Sequence, residues 1–412
     1  MQDNVVIVGT GQAALSCAVR LRDSGYEGAV TMLGDEPWLP YQRPPLSKVY
    51  LKGETTADRL ELRPQEFFAK GGIVVERGSV VTSVNRSNRS VTTFDRRSYS
   101  YSKLVLSTDS RARTLPDAMT HGLDGILTMR SIADADRLRR ALAKAKRVVV
   151  VGGGYVGLEV ASIAVRMGHA VTIVEMTDRV LKRVAGAPTA QAIEELHVRH
   201  GAPVLTNAQL KGLSGHHGTV SGVSLGSGTL LPADLVLVAI GGMANVELAA
   251  ETGLTVENGI VVHRFGQTSA PHIYVAGDCA AFPFGGRLIR LESVQNAIEQ
   301  GSVVANAILG RPVEYEPVPW FWSDQYDATL QTAGLALDYD DILAVSMEPG
   351  RSAFWYFRDG LAVAVDTMND AKTHMAARRL FGARVELRRE LLLKPDSTSC
   401  STFVQPPCRL DQ

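Results

Sequence analysis

Twice along the 412-residue chain an unbroken apolar run gives way to a glycine-rich turn, a stretch of small and apolar residues at helical spacing, and a second apolar run. The first copy reads NVVIVGTGQAALSCAVRLRDSGYEGAVTMLG from Asn4 to Gly34, the second RVVVVGGGYVGLEVASIAVRMGHAVTIVE from Arg147 to Glu175. A continuous β-branched run predicts a strand buried on both faces of a parallel sheet, so each copy predicts a βαβ unit. A further apolar run closes each copy, KLVLSTDS after the first and ADLVLVAIGG after the second. IYVAGDCA, Ile273 to Ala280, predicts a later buried strand, with a helix opening near RLESVQNAIEQG. Beyond it, DDILAVSM and SAFWYFRDGLAVAVD predict strands, Asp359-Gly360 supplies a hairpin turn, and Ala371 to Phe381 predicts a helix.

The glycines have chemical spacing. Gly9, Gly11 and Ala14 form GxGxxA with Asp35 at the end of the second strand, and Gly152, Gly154 and Gly157 form GxGxxG with Glu175 at the matching place. Two glycines let the backbone turn tightly and approach a pyrophosphate at a helix N-terminus. The third small residue seats helix on strand, and the acid about 20 residues on accepts hydrogen bonds from a ribose. One such motif is weak; two, each between strand and helix, predict two dinucleotides, read most economically as a bound FAD and an exchanging nicotinamide. Glu175 favours NADH, since a carboxylate there repels a 2′-phosphate, although Arg179 and Arg183 lie close in sequence. The predicted fold is α/β, with two Rossmann-like FAD/NAD(P)-binding domains of the glutathione-reductase kind and a C-terminal α+β domain. The order of motifs splits the FAD domain into 1–112 and 243–318, inserts the NAD domain at 113–242 and leaves 319–412 as the C-terminal domain.

Charge and cysteine usage narrow the partners. Lys plus Arg and Asp plus Glu number 43 each, so no global field gathers nucleic acid. The longest apolar run, from Val148 to Leu158, is broken by three consecutive glycines and falls short of the ~20 residues a bilayer span needs. No basic, apolar leader precedes the first strand. Cys17, Cys279, Cys400 and Cys408 are too dispersed for a disulfide scaffold or a metal site, and a reducing cytoplasm is the expected compartment.

Three further motifs carry a family resemblance. They are YQRPPLSKVYL (Tyr41 to Leu51), IYVAGDCA, and PWFWSDQYD (Pro319 to Asp327). With the two fingerprints, they make the chain resemble, from about residue 4 to about 380, the FAD-dependent NADH:ferredoxin reductases of the putidaredoxin-reductase and biphenyl-dioxygenase-reductase kind. Rubredoxin reductases and apoptosis-inducing factor are more distant likenesses. The resemblance implies Lys48 beside the flavin, paired with Glu159, and Arg43 facing the cofactor. It implies Asp278 at the FAD ribityl chain, main chain near Val294 at the isoalloxazine, and Trp320 and Trp322 at the flavin and nicotinamide approach, Trp322 also near the docked iron–sulfur partner. Phe321 between them is expected in the core. Further cofactor contacts are implied at Ala13, Val81, Arg130, Tyr155, Arg183 and Gly241.

Disulfide reductases share this architecture but carry Cys-x4-Cys beside the flavin, where this chain has PPLSK. The implied reaction is therefore hydride transfer from NADH to FAD, then single electrons to a two-iron, two-sulfur ferredoxin or a rubredoxin that feeds a monooxygenase or dioxygenase, by a monomer or weak homodimer. Arg43, Arg63, Arg111, Arg113, Arg378, Arg379, Arg384, Arg388 and Arg389 are candidates for a basic docking face, against the plainer reading of a solvated surface. Alternatives are an NADH oxidase or peroxidase of the same fold, an NADH-responsive binding module like apoptosis-inducing factor, or a nucleotide sensor that cannot hold FAD. Asp109 motivates the last, since it replaces a family glycine near the cofactor and its charge opposes FAD phosphates.

Overall fold

In a computed structural model, residues 3–348 and 350–392 are described. They form two compact units, one of residues 3–45, 55–112 and 242–317, the other of 46–54, 113–241, 318–348 and 350–392. Five helices concern the site: α1 (Gln12–Asp23), α2 (Tyr155–Arg166), α3 (Ala187–Arg199), α4 (Val294–Ile308) and α5 (Ala371–Gly382).

The first unit is built on a five-stranded parallel sheet, in the order Ile273–Val275, Lys103–Leu106, Asn4–Val8, Ala29–Leu33, Ile73–Glu76. Val8 is in register with both Leu33 and Leu106, so the strands end level and Gly9 turns at their shared rim. Val5 to Val8 are all buried, as an apolar run covered on both faces must be. On one face α1 meets α4 so closely that a Cβ on Gly301 would stand 2.4 Å from the Ala13 carbonyl oxygen. Only small residues permit that approach, which explains Ala13, Ala14, Cys17 and Ala18 on the buried side of α1.

The second unit repeats the scheme, with the parallel order Val204–Leu205, Ala170–Val174, Arg147–Val151, Leu235–Val238, Ile126–Leu127. Val151 is level with Val174 and Val238, and Gly152 follows at the rim. The same unit holds an antiparallel sheet in the order Trp320–Gln325, Ala328–Gly334, Leu361–Met368, Arg351–Arg358, Asp341–Glu348. Helix α5 packs its Ala376, Ala377 and Leu380 against that sheet's Ala333, Trp355 and Val365. Asp359 and Gly360 both take positive φ at the hairpin tip, as a two-residue turn of matching twist requires. Among the described residues no helix is long and apolar enough to cross a membrane.

Candidate active site

In the first unit, Gly9 has φ +116° and a Cβ there would stand 2.0 Å from the Ser107 carbonyl oxygen. Gly11 caps α1 without a side-chain hydrogen bond, and a Cβ on it would find Asp109 Oδ2 as its nearest neighbour, at 3.9 Å. Uncapped N–H groups therefore open on free space at a positive helix end, a donor set that fits a pyrophosphate. Ala14 is fully buried where helix meets strand. Asp35 is exposed just past the second strand. Its neighbour Glu36 accepts from Tyr41 Oη at 2.8 Å and pairs with Arg43 Nη2 at 2.9 Å.

Asp109 is the departure. It takes φ +63°, held by Asn245 N donating to its carbonyl at 3.0 Å and by Ser110 N donating to its Oδ1 at 2.7 Å. Its other oxygen pairs with Arg43 Nε at 2.9 Å, so that Arg43 lies between two carboxylates. Asp278 lies in the turn that follows the strand Ile273–Val275; Ser110 Oγ lies 3.4 Å from its Oδ2, and Arg290 donates to its carbonyl at 2.9 Å. It caps no helix, since Ser293 caps α4 through Asn296 N. Val294 opens α4, and Val81 starts the strand Val81–Asn85 at the edge of the core.

The second unit has the fuller cradle. Gly152 has φ +109°, a Cβ on it would stand 2.3 Å from the Ala239 carbonyl oxygen, and a Cβ on Gly157 would stand 2.3 Å from that of Gly152. Gly154 caps α2 with no side chain, leaving its first N–H groups open. Glu175 is wired on both oxygens: Gly153 N donates to Oε2 at 2.8 Å, while Thr177 N and Oγ donate to Oε1 at 2.8 and 2.7 Å. Arg183 lies over Gly241, its Nη2 3.2 Å from where a Cβ would stand. Tyr155 opens α2 with its ring 4.4 Å from that of Phe321. Arg130 precedes Ser131, whose side chain caps the helix Ile132–Leu142.

Lys48 belongs to this unit too. Its Nζ lies 2.7 Å from Glu159 Oε2, with Glu159 only 3% exposed. Ser47 Oγ also donates to Oε2, and Ser323 Oγ donates to Oε1 at 2.8 Å. A buried carboxylate needs such partners. Both serines escaped the sequence reading, although each lies inside a quoted motif, PPLSK and PWFWSDQYD.

Trp320 and Trp322 share one face of their edge strand, ring centroids 5.8 Å apart, and the Arg378 guanidinium lies 4.0 Å over Trp320. Phe321 corrects an expectation: it is half-buried against Tyr155, because an edge strand has no second neighbour to cover it, and the core positions are Ser323 and Gln325. Several candidate docking arginines are held by their own chain. Arg111 pairs with Glu247 at 2.7 Å, Arg389 with Asp341 at 2.7 Å and Arg388 with Glu386 at 3.7 Å. Burial pushes the Cys17 thiol up to about 12 and Cys279 to about 11, so neither is a thiolate near neutrality. Cys400 and Cys408 lie outside the described residues.

Comparison with known proteins agrees over nearly the whole chain. It is 41% identical to a ferredoxin–NAD(P)(+) reductase of Sphingomonas sp, over 92% of this chain and 93% of that one. It is 40% identical to putidaredoxin reductase of Pseudomonas putida, over 95% and 94%. The crystal structure of the covalent putidaredoxin reductase–putidaredoxin complex superposes with a TM-score of 0.91 at 39% identity, covering 96% of each chain. The pattern named reductase C-terminal matches residues 320–399, and that of the pyridine nucleotide-disulphide oxidoreductases matches 3–301. The chain thus belongs to the pyridine nucleotide-disulphide oxidoreductase family, as an FAD-dependent oxidoreductase with a reductase C-terminal domain.

Proposed function

We propose that the chain is an NADH:ferredoxin oxidoreductase, which takes hydride from NADH and passes electrons singly to a two-iron, two-sulfur ferredoxin or a rubredoxin serving a monooxygenase or dioxygenase. The observation that carries this reading is the Lys48–Glu159 pair. Its lysine stands in PPLSK, the stretch where disulfide reductases of this architecture keep their two cysteines, and the chain has no Cys-x4-Cys anywhere. A resident dithiol is thereby removed as the next electron carrier. The ferredoxin and putidaredoxin reductases it is similar to support an iron–sulfur acceptor. Bound FAD supplies the change from two-electron to one-electron chemistry.

Each residue then has a task. Gly9, Gly11, Ala13 and Ala14 let α1 present its N–H groups to the FAD pyrophosphate, with Asp35 at the ribose and Asp278 and the start of α4 nearer the flavin. Gly152, Gly154 and Gly157 do the same for the nicotinamide nucleotide. The anchored Glu175 carboxylate opposes a 2′-phosphate and favours NADH over NADPH. Lys48 offers a fixed positive charge to the reacting rings, and Glu159 holds that ammonium in place. The few, dispersed cysteines fit a reducing, cytoplasmic setting, which is proposed together with this activity.

Anaerobic titration of the purified yellow protein tests this. About one equivalent of NADH should bleach the flavin bands, and NADPH at the same concentration should leave most of the absorbance in place. A flavin that NADH leaves oxidised would remove the proposal.

A further inference from the structure

The Glu159 carboxylate is the end of a longer line of hydrogen bonds, all within the second unit. Ser323 Oγ donates to Glu159 Oε1 at 2.8 Å, and Gln325 Nε2 donates to Ser323 Oγ at 3.1 Å. Gln325 Oε1 lies 2.8 Å from His197 Nε2, on α3. An amide oxygen only accepts, so Nε2 must carry the imidazole proton. His197 Nδ1 then accepts from Tyr326 Oη, 3.2 Å away. Burial pushes His197 down to about 4, so at working pH it is neutral and has this single tautomer. Every proton in the line points toward Glu159.

His197 and Ser323 are fully buried and Gln325 is 1% exposed, so no bulk water competes for these bonds. A donor chain in such surroundings polarises along its length and favours negative charge at its acceptor end. Three segments meet through it: α3, the edge strand Trp320–Gln325, and α2 with Glu159. Among the described residues, Lys48 from residues 46–54 pairs with Glu159 and Tyr155 on its own helix faces it, with Asp366 acting on Tyr155 from the strand Leu361–Met368. Of these only Lys48 is a cation, so the donor line adds to its work from the opposite oxygen of the carboxylate.

We propose that His197 is a positioning residue of the hydride-transfer site, which acts through Gln325 and Ser323 to hold the Glu159 carboxylate as an anion aimed at Lys48. The proposal rests on reading the Lys48–Glu159 pair as part of that site. Sequence reading passed over all three residues, because their alignment exists only once the C-terminal sheet meets α2 and α3.

The test uses full-length, flavin-bound protein carrying 13C at the glutamate δ-carboxyls. NMR titration follows the Glu159 signal, assigned as the resonance lost in E159Q. His197→Phe keeps an aromatic ring and removes the donor; Ser323→Ala cuts the last link. Both should raise the Glu159 titration midpoint by about one pH unit, a tenfold change in proton affinity. His197→Gln, which restores an N–H at similar reach, should return it toward the wild-type value. An unmoved midpoint in S323A, or an H197Q midpoint raised as far as that of H197F, would show that the line only bolts segments together and would overturn the proposal. Should H197F fail to fold, S323A decides. The second readout is the pH profile of flavin reduction by NADH, whose acid limb should move by the same amount. A midpoint that moves under an unmoved profile would uphold the donor line and overturn the use of the pair in hydride transfer.

Discussion

At Asp109 a left-handed backbone and a negative charge meet beside the glycine turn of the first fingerprint. The backbone is secured by Asn245 and Ser110, and Arg43 balances the charge at 2.9 Å. Yet Oδ2 points at the space above Gly11, where the fingerprint places a pyrophosphate. Like charges ~5 Å apart at an effective dielectric constant of ~20 repel by roughly 3 kcal/mol, and Arg43 offsets only part of that. Asn tolerates positive φ as readily as Asp, so Asp109→Asn removes the charge and keeps the turn. FAD should then bind the apoprotein about tenfold more tightly, the equivalent of ~1.4 kcal/mol, as read by quenching of flavin fluorescence at low salt. The gain should shrink at high salt. An unchanged or weaker Kd would mean that Arg43 neutralises Asp109 in full. The position stood out in the sequence because the family has glycine there. Its partnership with Arg43 did not, because the two are far apart in the chain and only the fold brings them together.

Among elements, the C-terminal sheet shows how a buried acid links pH to stability. Asp366 is 2% exposed, and it accepts from Tyr356 Oη at 2.5 Å and Thr189 Oγ at 2.9 Å. Tyr356 Oη also accepts from Gly186 N, just before α3, so this cluster fastens the sheet to the helix that bears His197. Burial raises Asp366 from 3.8 to about 6. For an acid with a raised folded value, the stabilising contribution is complete below the unfolded value and is lost as pH rises through about 6. Asp366→Asn removes that dependence. Its unfolding free energy relative to wild type should therefore swing in the variant's favour by up to roughly 3 kcal/mol between pH 4 and pH 8. Denaturant midpoints at the two pH values check this, and a difference independent of pH would show that Asp366 titrates normally. This cluster was invisible in the sequence, whereas the strands and helix around it were legible. Alternating and β-branched runs report burial, which is local; the partner of a buried polar side chain is set by tertiary register. The same division separates the two fingerprints, legible as spacing, from Ser47 and Ser323, which hold Glu159 from distant segments.

For the whole molecule the question is how an acidic ferredoxin would find its place. The chain carries 43 cationic and 43 anionic side chains, so its far field is weak. Near the surface, Arg111, Arg388 and Arg389 each face a carboxylate of their own chain, and Arg43 faces two. Arg378 spends its charge on the Trp320 ring at 4.0 Å. Arginines compensated in this way contribute little at distances beyond a Debye length, ~10 Å at 0.1 M salt. Steered association would gain orders of magnitude in rate at low salt and lose them as salt rises. Here encounter should instead proceed near the unsteered range of about 10⁵–10⁶ M⁻¹s⁻¹ and depend on short-range contacts formed after collision. The second-order rate constant for reduction of an acidic two-iron, two-sulfur ferredoxin by the NADH-reduced enzyme should therefore change by less than about threefold between 50 and 300 mM NaCl, measured by stopped-flow absorbance. A fall of tenfold or more would reveal a cationic patch that these internal pairs leave uncompensated. In that case charge-reversal variants of Arg113 and Arg379 would locate it, because loss of a steering charge flattens the salt slope and leaves NADH-driven flavin reduction unchanged.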